Sequence, residues 1–81
     1  MNPQEFQFKA IMQLLVPMVV EQIISRFSVR PDSALQELYA SRLYSDLERE
    51  STALWHLSPL ALAELWYEEK TTGCITYPEE Q

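Results

Sequence analysis

The chain has 81 residues, of which 47% are hydrophobic, and it carries a formal net charge of -6. This length allows one domain, residues 1–81, around one core, and the apolar content excludes disorder over most of the chain. The charge excludes nucleic acid and anionic membranes as expected partners, because scattered basic residues do not drive binding to phosphates, and it favours a protein partner with a basic surface.

The first predicted helix begins at Asn2 and Pro3, a capping residue followed by a proline suited to the first helical position. Two apolar stripes follow, and they point roughly 90° or more apart at about 100° per residue. Pro17 lies where they meet. Because a proline inside a helix lacks an N–H donor and crowds the preceding turn, we expect a kink or a break at Pro17. The stripes are Phe8, Ile11, Leu14, Leu15 and Met18, and Val16, Val20, Ile23, Ile24 and Phe27.

The most apolar segment, Ile11–Ile24, is interrupted by polar residues such as Gln13 and Glu21. We predict that it is too short and too polar to span a bilayer. The start of the chain lacks the basic residues and apolar run of a signal peptide. A single cysteine, Cys74, excludes an internal disulfide and fits a reducing compartment. These features predict a cytoplasmic protein.

Pro31 and Asp32 predict the start of a second helix after a short connector. Its apolar face then changes direction although no proline is present. Either the helix bends near Ser41, or it lies between two apolar neighbours. The two faces are Ala34, Leu35, Leu38 and Tyr39, and Ala40, Leu43, Tyr44 and Leu47.

The segment Ser51–Leu57 shows no helical stripe and is predicted to be a loop anchored by Leu54, Trp55 and Leu57. Ser58 and Pro59 form a clear cap and first turn for the last helix. That helix is predicted to run to about Thr72, where Gly73 ends it. Residues 74–81 are predicted to form an extended acidic tail.

The sequence lacks the combinations of residues that catalysis requires. His56 is the only histidine and has no triad partner nearby, so we expect a histidine beside Trp55 without a catalytic role. Cys74 follows a helix C-terminus among acidic residues, which does not stabilise a thiolate. Glu64 and Glu68 are one turn apart, but a di-metal site needs carboxylates from several helices. We therefore predict no enzyme activity, no catalytic residue, no metal site and no cofactor.

Aromatic residues are the remaining functional signal. The last helix carries two apolar strips, and either both belong to the core or one stays exposed and docks a partner, since Trp and Tyr are enriched in interface hot spots. The strips are Leu62, Leu65 and Trp66, and Leu60, Ala63 and Tyr67. The candidate partner-binding residues are Trp66, Tyr67, Glu64, Glu68, Tyr39 and Tyr44.

The stretch from Ser33 to Gly73, SALQELYASRLYSDLERESTALWHLSPLALAELWYEEKTTG, followed by YPEE, resembles a group of small bacterial proteins. Their pattern is ALxxxYxSxLYxxLExExTxLWxxSPxxLxxL with an acidic end. Genes of this group often lie near genes for toxins or ADP-ribosyltransferase-like proteins. The resemblance covers about the last two-thirds of the chain and implies an antitoxin-like role, but no activity to assign to a residue.

The sequence as a whole predicts an all-α fold, a compact bundle of four to five short helices. The leading function is a protein–protein interaction module, either an antitoxin-like partner of a basic toxin or an oligomeric adaptor that binds further copies of itself. The alternative is a small helix-turn-helix-like DNA-binding regulator. Such a regulator needs a recognition helix rich in Arg, Lys, Asn or Gln, whereas the last helix offers Glu64, Glu68, Glu69 and one Lys70.

Overall fold

A computed structural model describes residues 3–77, and these contain α-helices and short turns but no strand. The predicted all-α fold is confirmed. The helices are α1 (Pro3–Phe27), α2 (Pro31–Tyr39), α3 (Arg42–Leu47) and α4 (Pro59–Thr72). Two 3₁₀ turns, Glu50–Thr52 and Leu54–His56, join α3 to α4.

Helix α1 begins at Pro3, as predicted, while its expected cap Asn2 lies outside the described residues. It continues through Pro17 without interruption. The predicted break is therefore wrong, and a bend at Pro17 stays a prediction. Both Pro17 and Gln13, whose carbonyl loses its helical donor, are exposed. Water can therefore bond to that carbonyl, which lowers the cost of the proline.

The chain between α2 and α3 turns at Ser41. Its Oγ accepts from the N–H of Tyr44 at 3.1 Å and donates to the carbonyl of Leu38 at 2.5 Å. One buried hydroxyl thus satisfies a donor at the start of α3 and an acceptor at the end of α2. The predicted change of apolar face near Ser41 is real, and its cause is the end of one helix and the start of the next.

The boundaries of α4 agree with the sequence. Ser58 Oγ accepts from the N–H of Ala61 at 3.1 Å, and Gly73 ends the helix with a left-handed φ of 79°. Before α4, the predicted loop forms the two 3₁₀ turns, with Ala53 between them at a φ of 58°. Leu54 is buried, and Trp55 and Leu57 pack against the core, so the predicted anchors are confirmed.

The core lies between α1 and α4, with α2 and α3 closing one side. The predicted stripes of α1 are only partly correct, because Leu14 and Met18 are exposed whereas Val19, which belongs to neither stripe, is fully buried. In α4, Ala63 joins the core and Leu60 does not. The buried apolar residues are Leu15, Val16, Val19, Ile23, Ala34, Leu38, Leu43, Leu47, Leu54, Leu62, Ala63 and Trp66.

The described part of the C-terminal segment, residues 74–77, has no regular secondary structure but packs against the helices. Ile75 and Tyr77 contact the core. The N–H of Thr76 donates to Glu68 Oε1 at 2.7 Å. The segment is therefore attached to the fold up to Tyr77, and the remainder of the predicted tail, residues 78–81, lies outside the described residues.

Candidate functional site

The aromatic residues predicted on α4 take different places. Trp66 is only 2% exposed and belongs to the core, so its predicted role as a surface contact is not supported. Tyr67 is 42% exposed and its ring stacks on Phe27 at 4.2 Å between centroids. Of the two strips on this helix, Tyr67 and Leu60 are thus the members that remain accessible.

Glu64 and Glu68, the acidic pair on α4, differ in their exposure and in their contacts. Glu64 is exposed and lies 3.7 Å from the guanidinium of Arg26 on α1. Glu68 is half-buried, and one carboxylate oxygen accepts from the backbone of Thr76. Glu64 therefore remains available to a partner, whereas Glu68 helps to hold the C-terminal segment.

Glu69 has a role that the sequence analysis missed. Its two carboxylate oxygens accept from the backbone N–H groups of Arg42 at 2.9 Å and Leu43 at 3.0 Å. These are the free donors at the start of α3, where negative charge is also favoured by the helix dipole. Next to it, Lys70 binds Glu37 and lies 5.1 Å from the ring of Trp66. The charged side of α4 is mostly engaged in holding α2 and α3.

Tyr39 and Tyr44, predicted together as contact residues, do lie together. Their rings meet edge to face at 4.7 Å between centroids. Tyr39, at the end of α2, is 49% exposed. Tyr44 is half-buried, and burial, with the nearby charge of Glu48, raises the pKa of its hydroxyl, which stays neutral at physiological pH.

These two tyrosines line an open groove between α1 and α2. The groove has a volume of about 560 Å³ and a predominantly apolar lining. Leu35 is 40% exposed on its α2 side, and Pro17 is exposed on its α1 side. We call this surface the α1–α2 groove; it is lined by Met12, Gln13, Val16, Pro17, Val20, Pro31, Leu35, Tyr39 and Tyr44.

The α1–α2 groove continues along α1 toward the N-terminus. A second depression shares Met12, Gln13 and Tyr44 with it and adds Phe8, Lys9 and Glu48. From residue 8 to residue 20 the helix rises about 18 Å at 1.5 Å per residue. The combined channel is therefore long enough for about three turns of a second helix.

Helix α1 is unusual on its outer side as well. Residues 10–20 contain no charged side chain. Leu14 is 72% exposed and Met18 is 50% exposed, although a surface helix normally turns charged residues toward water. Within this stretch Leu15, Val16 and Val19 are buried. The side chains of Leu14 and Met18 are thus left largely uncovered in the described structure.

The length of α1 revises one sequence argument. Because the helix does not break at Pro17, the stretch Gln7–Phe27 is, by length and composition, long and apolar enough to cross a membrane. Core helices of soluble proteins and signal sequences can have the same length and apolar composition. Length therefore no longer supports the prediction that the apolar segment is too short to span a bilayer, and the predicted cytoplasmic location stays a prediction.

The residues considered for catalysis lie apart. His56 is exposed and stacks on Trp55 at 3.8 Å between ring centroids, as expected. Cys74 is exposed with a free thiol. Among the residues whose side chains the structure describes, no three His, Cys, Asp or Glu come together in a way that could hold a metal ion.

Neither a scan against protein-family models nor searches of curated proteins and of solved structures find a match to this chain.

Proposed function

We propose that this protein is a protein–protein interaction module that binds an amphipathic helix of a basic partner in the α1–α2 groove. The observation that carries the proposal is the groove itself. An open, mostly apolar channel of about 560 Å³ is bordered by the exposed side chains of Leu35 and Tyr39. Exposed apolar surface of this kind is a common feature of docking sites.

A helix suits the channel better than an extended strand does. The sheet edge on which a strand could be added is absent from residues 3–77. The floor is instead formed by Met12, Val16 and Val20, which are spaced by one helical turn. Apolar residues of a partner helix at positions i, i+3, i+4 and i+7 would lie between this row and Leu35.

Charge favours a basic partner. The chain has a net charge of -6. Glu48 and Lys9 both line the continuation of the channel, and the α1–α2 groove itself is lined by no charged residue, so the attraction comes from the net charge of the whole chain. Basic residues flanking the apolar stripe of a partner helix would be attracted by this net negative charge, which speeds association.

This proposal agrees with the antitoxin-like role that the resemblance implies, in which an acidic protein neutralises a basic toxin.

We further propose a cytoplasmic location, on the grounds of a single free cysteine and an acidic surface. For the fold, we propose that α1 bends at Pro17, because the lost hydrogen bond at Gln13 removes one restraint on the helix. We also propose that the four helices form a compact bundle.

The rival function, binding to duplex DNA, has weaker support. Helix α3 comprises only Arg42–Leu47, and Glu69 covers its N-terminus. The recognition helices of such regulators place their N-terminal residues against base edges. A duplex mobility-shift assay at low salt tests the rival directly, and tight binding there would reverse the ranking.

Co-purification from the native cell tests the main proposal. The wild-type protein is compared with Leu35→Glu, which places a charge in the groove, and with Leu60→Glu, a matched change at an exposed leucine that lines no described groove. We expect a basic protein to be retained by the wild type and by Leu60→Glu and lost from Leu35→Glu. Equal retention by all three proteins would contradict binding in the groove.

A further inference from the structure

The C-terminal segment, residues 74–77, is held to the helices through side chains. Among the described residues, no backbone-to-backbone hydrogen bond joins it to the rest of the fold. Two other hydrogen bonds attach its last two residues. The N–H of Thr76 donates to the carboxylate of Glu68 on α4. The hydroxyl of Tyr77 donates to the carboxylate of Asp46 on α3. The position of the segment therefore depends on two ionisable side chains.

Little else holds this segment in place. Ile75 and Tyr77 are half-buried against the core, whereas Cys74 and Thr76 are exposed. At its start Gly73 has a φ of 79°, and nothing lies within 4 Å of the place where a Cβ would stand, so the backbone can rotate there without a clash. A segment with few buried apolar contacts and no backbone pairing opens at a lower free-energy cost than packed helices do.

We propose that the C-terminal segment is an acid-released latch, which is closed on α3 and α4 at neutral pH and is opened about Gly73 by acid while the helices stay folded. A hydrogen bond to an ionised carboxylate is roughly twice as strong as one between neutral groups. Acid therefore weakens both attachments at once. The buried core contains no residue of the segment, so its release leaves the packing of α1 against α4 in place.

Charged groups from both helices face the latch. The hydrogen bond from Tyr77 lowers the pKa of Asp46 most, and Arg49 and Arg42 lower it further. On the α4 side, the charge of Glu69 faces the hydroxyl of Tyr77, whose pKa is raised by burial and by the bond to Asp46, so this donor keeps its proton. Since opening returns Asp46 to an ordinary pKa of about 3.9, closure is fully favoured above that value and is lost as pH falls through the lower closed-state pKa.

Opening changes the surface at the end of α3. In the closed state Tyr77 borders a depression of about 200 Å³, together with Asp46, Arg49, Thr52 and Leu54. Removal of the tyrosine ring widens this depression beside Leu54, which is only 7% exposed in the closed state. None of these residues lines the α1–α2 groove, so the latch can fail without affecting the proposed function.

A titration of the ¹⁵N-labelled protein from neutral pH to about pH 3 tests the latch. We expect the amide signals of residues 75–77 to move to the positions of an unstructured chain while circular dichroism and the signals of α1 and α4 still show folded helices. If the segment keeps its signals until the helices unfold, or if both change in one transition, the proposal is overturned.

Variants test the attachment at neutral pH, where the helices are not challenged by acid. Tyr77→Phe should raise the hydrogen-exchange rate of the Thr76 amide by about tenfold, because it loses a hydrogen bond to a charged group. Asp46→Ala should have the same effect from the other side of the bond. Tyr67→Phe is the matched control and should exchange like the wild type. An unchanged Thr76 rate in Tyr77→Phe, or faster exchange throughout α4, would contradict a latch that opens alone.

Discussion

The hydroxyl of Tyr77 donates a 2.5 Å hydrogen bond to Oδ2 of Asp46, a residue on α3 that precedes it by 31 positions. The other oxygen of Asp46 accepts from the guanidinium of Arg49 at 2.7 Å. Together with the bond from Thr76 to Glu68, this contact fixes the C-terminal segment to two helices. Residues 74–77 thus form part of the folded structure and cover the end of α3.

Replacing Tyr77 with Phe should lower the free energy of unfolding by about 1–2 kcal/mol, because the ring still packs but a hydrogen bond to a charged group is lost. Urea denaturation followed by tryptophan fluorescence measures the change. Tyr67→Phe is the matched control, since the Tyr67 hydroxyl makes no hydrogen bond among the described residues and should cost little. Equal stability of Tyr77→Phe and the wild type would show that the contact contributes nothing.

The hydrogen bond between Tyr77 and Asp46 also makes the stability of the fold depend on pH. The hydrogen bond from Tyr77, with a smaller contribution from Arg49, holds the pKa of Asp46 below its ordinary value. An aspartate in the unfolded chain titrates near about 3.9. Between the two pKa values the native state therefore binds fewer protons than the unfolded chain does. The resulting stabilisation is fully present above the unfolded pKa, and it is lost as pH falls through the lower native pKa.

Asp46→Asn removes this dependence. At pH 7 the variant should be less stable than the wild type, and the difference should narrow toward about pH 3. Both proteins keep Glu37, whose pKa is also lowered, chiefly by its hydrogen bond with Lys70, so that shared sensitivity to acid cancels in the comparison. A difference that stays constant from pH 7 to about pH 3 would show that the charge of Asp46 is not involved.

Glu69→Ala should cost about 1 kcal/mol, the usual effect of losing a helix cap, because the N–H groups of Arg42 and Leu43 lose their acceptor. The control is Glu64→Ala, which breaks only an exposed ion pair with Arg26 and should cost a few tenths of a kcal/mol at most. Thermal unfolding of the two variants gives the comparison. A larger loss in Glu64→Ala would contradict the cap.

Pro17→Ala should raise the free energy of unfolding by about 1–2 kcal/mol, because alanine restores a hydrogen bond to the carbonyl of Gln13 and favours helix. Pro31→Ala is the control: at the first position of α2 a proline is well placed, so its removal should be neutral or slightly destabilising. A loss of stability in Pro17→Ala would mean that the fold depends on the proline ring.

Local signals in the sequence were sufficient for much of the fold. Ser58 with Pro59 and the single Gly73 mark both ends of α4, since caps and left-handed residues act within one turn of their own position. Pro31 similarly marks the start of α2. At Pro17 the local rule predicted a kink or a break. The helix does not break, because burial of residues on both sides of the proline holds it together, and the bend stays a proposal.

Contacts between distant residues could not be predicted in this way. Nothing in the sequence marks Glu69 as a cap, and only the approach of α4 to the start of α3 gives it this role. The α1–α2 groove likewise depends on how α2 lies against α1. Tyr39 and Tyr44 were identified from their residue type, whereas Leu35, Pro17 and Val20 gave no separate signal. The absence of charge from residues 10–20 is visible in the sequence, but only the structure shows which of these side chains remain exposed.

The most direct test of the account is an NMR titration of the ¹⁵N-labelled protein with a synthetic amphipathic peptide of about 18 residues, leucine on one face and arginine on the other. We predict shift changes concentrated at the lining of the α1–α2 groove, around Val16, Leu35 and Tyr39, and lost in Leu35→Glu. A peptide with glutamate in place of arginine should bind at least about tenfold more weakly. No change at the groove, or equal binding of both peptides, would contradict the proposal that this acidic protein receives a basic helix there.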